Sequence, residues 1–258
     1  MKQRIQQELQ VVEATYGVKI LYACESGSRA WGFPSADSDY DGRFLYIHPP
    51  DWYLSIDLEH KRDVIERPLH DSLDLSGWDL RKALKLFYKS NPPLLEWLGS
   101  PLVYWDRYTV AQRLREFAPR YYNPLACSYH YLHMAQGNYR EYLQGERVWV
   151  KKYFYVLRPI LAINWLERGL GVVPTEFSVM VEGLITSPAL KRQIEDLIAA
   201  KKAGQELDDG PRIPEIAEFV EVEMTRLTSN RFEVAIEKQP VEPLNTLFRS
   251  VLAEVWQS

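Results

Sequence analysis

The residues with the types and spacing to do chemistry fall early in the chain. Gly27 and Ser28 lead into Arg29, Ala30, Trp31 and Gly32, and ten residues separate Ser28 from Asp39, which opens the run Asp39, Tyr40, Asp41, Gly42, Arg43. A Gly-Ser pair ahead of a short helix suits a polyphosphate. Glycine lets the backbone come close, serine adds a hydroxyl, and the amides at a helix start point at the anion. On a strand, residues two apart share a face, so Asp39, Asp41 and Arg43 are expected to project together. Carboxylates crowded there need a positive counterpart, and a hard divalent cation with oxygen ligands supplies it. The arrangement predicts Mg2+, two ions in all, with Mn2+ as a substitute. A phosphate cradle beside metal-binding carboxylates is what nucleotidyl transfer requires: one ion at the attacking hydroxyl, one at the triphosphate, and a third carboxylate at the attack site. Asp74, in the apolar-acid-apolar triplet Leu73-Asp74-Leu75, is the candidate third acid. Asp79 is its rival, although a helix-capping role explains Asp79 more simply.

Basic residues supply the remaining candidates. Arg29 and Arg43 are placed to meet a triphosphate, and Arg43 has the alternative of pairing with an aspartate and holding it. Arg81, Lys85 and Lys89 recur every fourth residue with Lys82 beside them, which makes one basic helix face. A solvated face is the plain reading; the functional one brings Arg81 or Lys82 to the phosphates. Arg147, Lys151, Tyr155 and Arg158 form a second stripe across an apolar helix, so Lys151 and Arg158 are expected to bind nucleotide unless they only snorkel. His130 and His133 sit three apart without an acidic or cysteine partner at ligand spacing, which favours a polar helix face over a metal pair. The many tyrosines around residues 121 to 139 are read mainly as packing, with base stacking as the alternative.

The elements that must position these groups follow from periodicity. Ile5, Leu9, Val12 and Tyr16 have helical spacing, and an apolar strand is expected over Val18 to Cys24. A second strand is expected over Asp39 to Ile47, and short ones over 61 to 67 and 72 to 75. Ser76 to Asp79 matches a capping pattern for a helix reaching about Ser90. From about residue 107 the pattern is helical only, with breaks near Pro119, over Gly169 to Pro174 and over Gly204 to Pro214. Lys201 to Arg212 is expected to be an exposed loop, and Leu244, Leu247, Phe248, Val251, Leu252 and Val255 mark a last amphipathic helix.

The 258 residues are 46% hydrophobic and 26% charged, which excludes a disordered chain. Cys24 and Cys127 are the only cysteines, no apolar run is long enough for a membrane helix, and the N-terminus lacks the apolar core of a secretory signal. A reduced cytoplasmic protein with no membrane partner is expected. The net charge of -4 means that any nucleic acid is held by a local basic patch and not by the field of the whole molecule.

The Gly-Ser pair followed by Asp-x-Asp resembles the DNA polymerase beta-like nucleotidyltransferase superfamily. The longer strings from Glu25 to Gly32 and from Ser38 to Arg43 are similar to one branch, the RNA repair pathway DNA polymerase beta family. Residues 78 to 84, 90 to 98 and 151 to 159 add to the likeness, which spans at least residues 22 to 177. The resemblance implies an α+β fold with a small mixed sheet, a nucleoside triphosphate substrate, Mg2+, and transfer to a hydroxyl. It gives Gly27 and Ser28 the phosphate role and Asp39 and Asp41 the metal role. Asp74 matches only through its apolar setting. The expected organisation is a nucleotidyltransferase domain over 1–105 and an all-helical domain over 106–258. The acceptor implied by the family name is an RNA end, as in RNA repair or end modification, with a protein side chain or a small molecule as the open alternatives. A nucleotide-binding regulatory or partner-binding protein with little turnover is the competing reading. The oligomeric state is left open.

Overall fold

A computed structural model describes every residue except Glu206, Asn230, Arg231, Glu233, Ile236 and Ser258; for Pro68, Leu69 and His70 it describes the backbone alone. Glu206 falls within the stretch expected to be a loop and lies outside the described residues. By its packing the chain divides into two units: residues 1–30, 39–122 and 237–258 form the first, and residues 31–38 and 123–236 the second.

In the first unit, α1 (Lys2–Tyr16) buries Ile5, Leu9 and Val12, the residues whose spacing marked it, each adding about 2 kcal/mol by leaving water. Gly17 ends it in the left-handed conformation, with φ 63°. β1 (Lys19–Glu25) follows. α2 (Gly27–Trp31) then leads through the loop to β2 (Tyr40–Ile47), one residue later than the strand was expected to begin. After α3 (Pro50–Tyr53) come β3 (Val64–His70) and β4 (Leu73–Asp79), joined at Asp71 and Ser72, both with positive φ as a tight hairpin requires. α4 (Leu80–Tyr88), α5 (Pro92–Leu98), β5 (Val103–Asp106) and α6 (Val110–Tyr121) complete the order.

The five strands form a mixed sheet in the order β3-β4-β2-β1-β5. β2 and β4 run parallel and the other neighbours antiparallel. α1 lies on one face over Ile20, Ala23, Phe44, Tyr46, Leu73 and Leu75. On the other face the Trp97 ring of α5 stacks on Trp78, and Arg115 of α6 reaches the Tyr22 hydroxyl. Alternation along β2 and β4 therefore puts Asp41, Arg43 and Asp74 on the face opposite α1. The parallel register sets Asp41 directly beside Asp74.

The second unit is built on α7 (Pro124–Tyr142) and α8 (Lys152–Glu167), with α9 (Phe177–Leu184), α10 (Pro188–Lys202) and α11 (Pro214–Ser229). Helix breaks occur at the two glycine-rich stretches anticipated from the sequence. Two departures from the pattern expected after residue 107 appear. Arg147–Trp149 (β6) and Asp209–Pro211 (β7) pair as a short antiparallel ribbon, so the stretch expected to be wholly loop contains a strand. Pro119 does not break α6; it falls in the last turn, where the helix goes on to the buried Tyr121. The final helix, α12 (Glu242–Trp256), packs in the first unit and buries Leu244, Leu247, Val251 and Val255. Among the described residues no helix is long and apolar enough to cross a membrane.

The helix expected from Ser76 starts later. Ser76 remains in β4, and Asp79 is the N-cap, its Oδ1 accepting from the Arg81 amide at 2.8 Å while Tyr53 donates to Oδ2. Burial pushes the Asp79 carboxyl up to about 6, against these hydrogen bonds. Unfolded, it titrates near 3.9. Between those values the folded chain holds a proton that the unfolded chain has released, so this stabilisation is full below the unfolded value and is lost as pH rises through about 6. Asp79→Asn keeps a capping oxygen and removes the titration. Urea unfolding at about pH 4 and about pH 7 should show the wild type losing roughly 2 kcal/mol more than the variant across that interval. An equal pH dependence in both proteins contradicts the assignment.

Candidate active site

The site starts from a glutamate. Glu25 closes β1 with its side chain wholly buried, and its carboxylate accepts from the backbone amide of Asp41 at 2.7 Å and from the Tyr104 hydroxyl. Its carbonyl accepts from the Ser100 hydroxyl at 2.6 Å. Burial raises the Glu25 carboxyl above the ordinary range, and the two hydrogen bonds pull against it. The next residue, Ser26, donates its amide to the Asp41 carbonyl at 2.9 Å. Asp41 is thus held by its own backbone on both sides before its side chain is considered.

Gly27 then turns the chain with φ 60°. A Cβ at this position would stand 2.2 Å from Asp41 Oδ2, so only glycine admits the carboxylate there. The other oxygen, Oδ1, accepts from Arg43 Nη2 at 3.0 Å, and the same nitrogen reaches Asp74 Oδ2 at 2.8 Å. One guanidinium nitrogen therefore bridges the two acids that strand register set side by side. Arg43 Nη1 also donates to the carbonyls of Gly42 and Asp74. Burial pushes the Asp41 carboxyl up; Arg43 draws it down, and the charges of Asp74 and Asp39 push it up again. Asp39 is exposed, one residue ahead of β2, and its carbonyl accepts from Arg29 Nε at 3.1 Å while the Arg29 guanidinium lies over the Tyr40 ring.

Among the described residues no three metal-ligating side chains already converge. Arg43 instead bridges Asp41 and Asp74 and compensates both charges. The donor set still suits a hard cation. Asp41 offers a carboxylate whose charged form burial disfavours, Asp39 adds a second negative charge close by, and both provide oxygen. The residues fit Mg2+ or Mn2+ by chemistry.

Gly27, Ser28, Arg29, Asp39, Asp41, Arg43 and Asp74 are brought together around this turn and the adjoining strand ends. Lys82 is not. β4 runs from Asp74 to Asp79 before α4 begins, about 17 Å along a strand, and Lys82 pairs with Asp63 at 2.9 Å. The sequence placed Lys82 near the phosphates because its helix follows the strand of Asp74; the strand carries it to the far end. Lys151 and Arg158 belong to the second unit. Lys151 pairs with Asp208 at 2.8 Å. Arg158 is 1% exposed with its guanidinium over the Trp31 ring, so it neither snorkels nor forms an open wall. Glu25 and Tyr104 were missed. The available signal was an acid ending an apolar strand just before Gly-Ser.

The chain is of the polymerase beta-like nucleotidyltransferase class: residues 1–250 match the RNA repair pathway DNA polymerase beta family, to which it belongs. It is similar to the uncharacterized protein YcgL of Bacillus subtilis (strain 168), with 51% identity over 258 residues that take in 100% of this chain and 98% of that one. Among solved structures, a nucleotidyltransferase-like protein from Exiguobacterium sibiricum 255-15 aligns with 98% of this chain and 90% of its own, at 10% identity and a TM-score of 0.32.

The close approach of Gly27 to Asp41 makes a direct test. Gly27→Ala must both hold a positive φ and displace the carboxylate, and should lower stability to urea by roughly 1–3 kcal/mol. Unchanged stability contradicts the tight contact.

Proposed function

We propose that the protein is a Mg2+-dependent nucleotidyltransferase that moves a nucleoside monophosphate from an NTP to a hydroxyl acceptor in the cytoplasm, with an RNA end as the leading acceptor. The observation that carries this reading is Asp41 lodged against Gly27, in register with Asp74 and joined to it through Arg43. Residues 1–105 hold the catalytic residues in this reading, and α6 and α12 pack with them in the first unit.

Gly27 and the Ser28 hydroxyl and amide receive the triphosphate. Arg29, held over Tyr40, contributes positive charge next to the same turn. Asp39 and Asp41 are the acids that would hold Mg2+, with Asp74 beside them. The ion would neutralise the acids against the triphosphate and favour departure of pyrophosphate. Asp74 takes the proton of the acceptor hydroxyl as its oxygen bonds to the α-phosphorus. The bond from that phosphorus to the bridging oxygen breaks, and pyrophosphate carries away the electron pair. Arg43 keeps the carboxylates of Asp41 and Asp74 from repelling one another until the substrate is bound.

A second reading, a nucleotide sensor with little turnover, is favoured by one observation: Arg43 already fills the space between Asp41 and Asp74. Incubation of each labelled NTP with Mg2+ and a panel of RNA ends, proteins and small hydroxyl compounds separates the two. Label transferred by the wild type and reduced about a thousandfold or more in Asp41→Ala supports the enzyme. Binding of NTP without pyrophosphate release for any acceptor supports the sensor. Equal transfer by both proteins removes Asp41 from the chemistry.

A further inference from the structure

Arg43 compensates two acids without gripping either. Nη2 alone serves both carboxylates, at 3.0 Å from Asp41 Oδ1 and 2.8 Å from Asp74 Oδ2. Nη1 reaches only main-chain carbonyls, that of Gly42 at 3.1 Å and that of Asp74 at 3.3 Å. Among the described residues no group accepts from Nε. Neither acid therefore receives the two parallel bonds by which a guanidinium holds a carboxylate most strongly.

Arg226 shows what a fixed arginine looks like in the same chain. Its Nε and Nη2 both donate to the Glu223 carboxylate, Nη1 donates to Glu167, and Nη2 also reaches the Asn164 side chain at 2.6 Å. Every side-chain nitrogen there has a side-chain acceptor. Arg43 has one such nitrogen, shared between two acids.

The pair is also open to solutes. The side chains of Arg43, Asp41 and Asp74 are 18%, 30% and 38% exposed. A salt bridge with that much access to water is weakly held, whereas a buried one would be costly to separate. Each carboxylate keeps an oxygen outside the pair as well: Asp41 Oδ2 lies against the Gly27 turn, and Asp74 Oδ1 accepts from nothing among the described residues.

Two demands meet at this guanidinium. Asp41 and Asp74 need a positive partner, and once a divalent cation takes that role Arg43 becomes a surplus charge beside it. Released, it offers planar N–H donors in the geometry that phosphate oxygens accept in pairs. The sequence gave Arg43 two roles, contact with a triphosphate or pairing with an aspartate. The pairing is what the free protein shows, and the contact becomes open to the same side chain when the acids are satisfied by another partner.

We propose that Arg43 is an exchangeable counter-ion, which holds Asp41 and Asp74 in the free protein, yields them to a divalent cation and passes to the triphosphate of the incoming nucleotide. This rests on the nucleotidyltransferase reading and adds a regulation of that site. The free protein resists a bare cation. Cation and nucleotide each bind more tightly when the other is present, because the nucleotide gives the displaced guanidinium a new partner.

Equilibrium dialysis of Mn2+ without nucleotide compares the wild type, Arg43→Gln, and Arg249→Gln, which removes the same charge from an exposed position on α12. The proposal expects Arg43→Gln to bind the ion about tenfold more tightly than the wild type, and Arg249→Gln to match the wild type. A second measurement needs no substitution. Phenylglyoxal labelling of the wild type, read by peptide mass spectrometry, should increase severalfold at Arg43 with Mg2+ alone and fall again when a non-hydrolysable NTP is added, with labelling of Arg226 unchanged throughout. Equal Mn2+ affinity in the wild type and Arg43→Gln, or labelling of Arg43 that ignores Mg2+, overturns the exchange and leaves the transfer site standing. Labelling that rises with Mg2+ and does not fall with the nucleotide overturns the passage to the triphosphate. Absence of bound Mn2+ in all three proteins, with and without the non-hydrolysable NTP, overturns both the exchange and the reading it rests on.

Discussion

The arrangement of the site depends on one buried carboxylate. Glu25 is removed from water at the end of β1 and satisfied by the amide of Asp41 and the hydroxyl of Tyr104. An ionisable group so placed is costly unless its partners stay in position. It therefore ties the start of β2 to the end of β1 and to β5, and leaves Asp41 little freedom. The Gly27 turn completes the constraint by accepting the Asp41 carboxylate where any larger residue would expel it.

On that framework the charges balance in a particular way. Strand register brings Asp41 and Asp74 together, which is unfavourable for two like charges, and Arg43 from the same strand as Asp41 compensates both with one nitrogen. Asp41 Oδ2 stays turned toward the Gly27 backbone. The acids that register brings together are thus neutralised within the sheet itself.

Much of this was legible from short-range pattern. The spacing of Ile5, Leu9 and Val12 marked α1, alternation from Tyr40 to Ile47 marked β2, and it put Asp41 and Arg43 on one face. What the sequence did not carry was set by distant partners. The register of β2 against β4 decides that Asp74 meets Arg43, and the direction of β4 decides that Lys82 does not approach. Ser76 matched a capping pattern, but Trp78 stacks on Trp97 and Gly77 lies under the Phe44 ring, so the strand continues to Asp79. Pro119 was read as a break although, in a last turn, it forfeits only one helical hydrogen bond. Arg158 looked like an open substrate-facing or snorkelling residue from its helical stripe, and its guanidinium is instead buried over the Trp31 ring.

Diffraction at the manganese absorption edge from crystals grown with Mn2+ and a non-hydrolysable NTP tests the central claim directly. An anomalous peak bonded to the Asp41 carboxylate and to Asp39 or Asp74, with triphosphate oxygens at the Gly27 turn, is the predicted result. A triphosphate bound elsewhere, or a turn and acids that stay free of manganese while nucleotide is present, would contradict it.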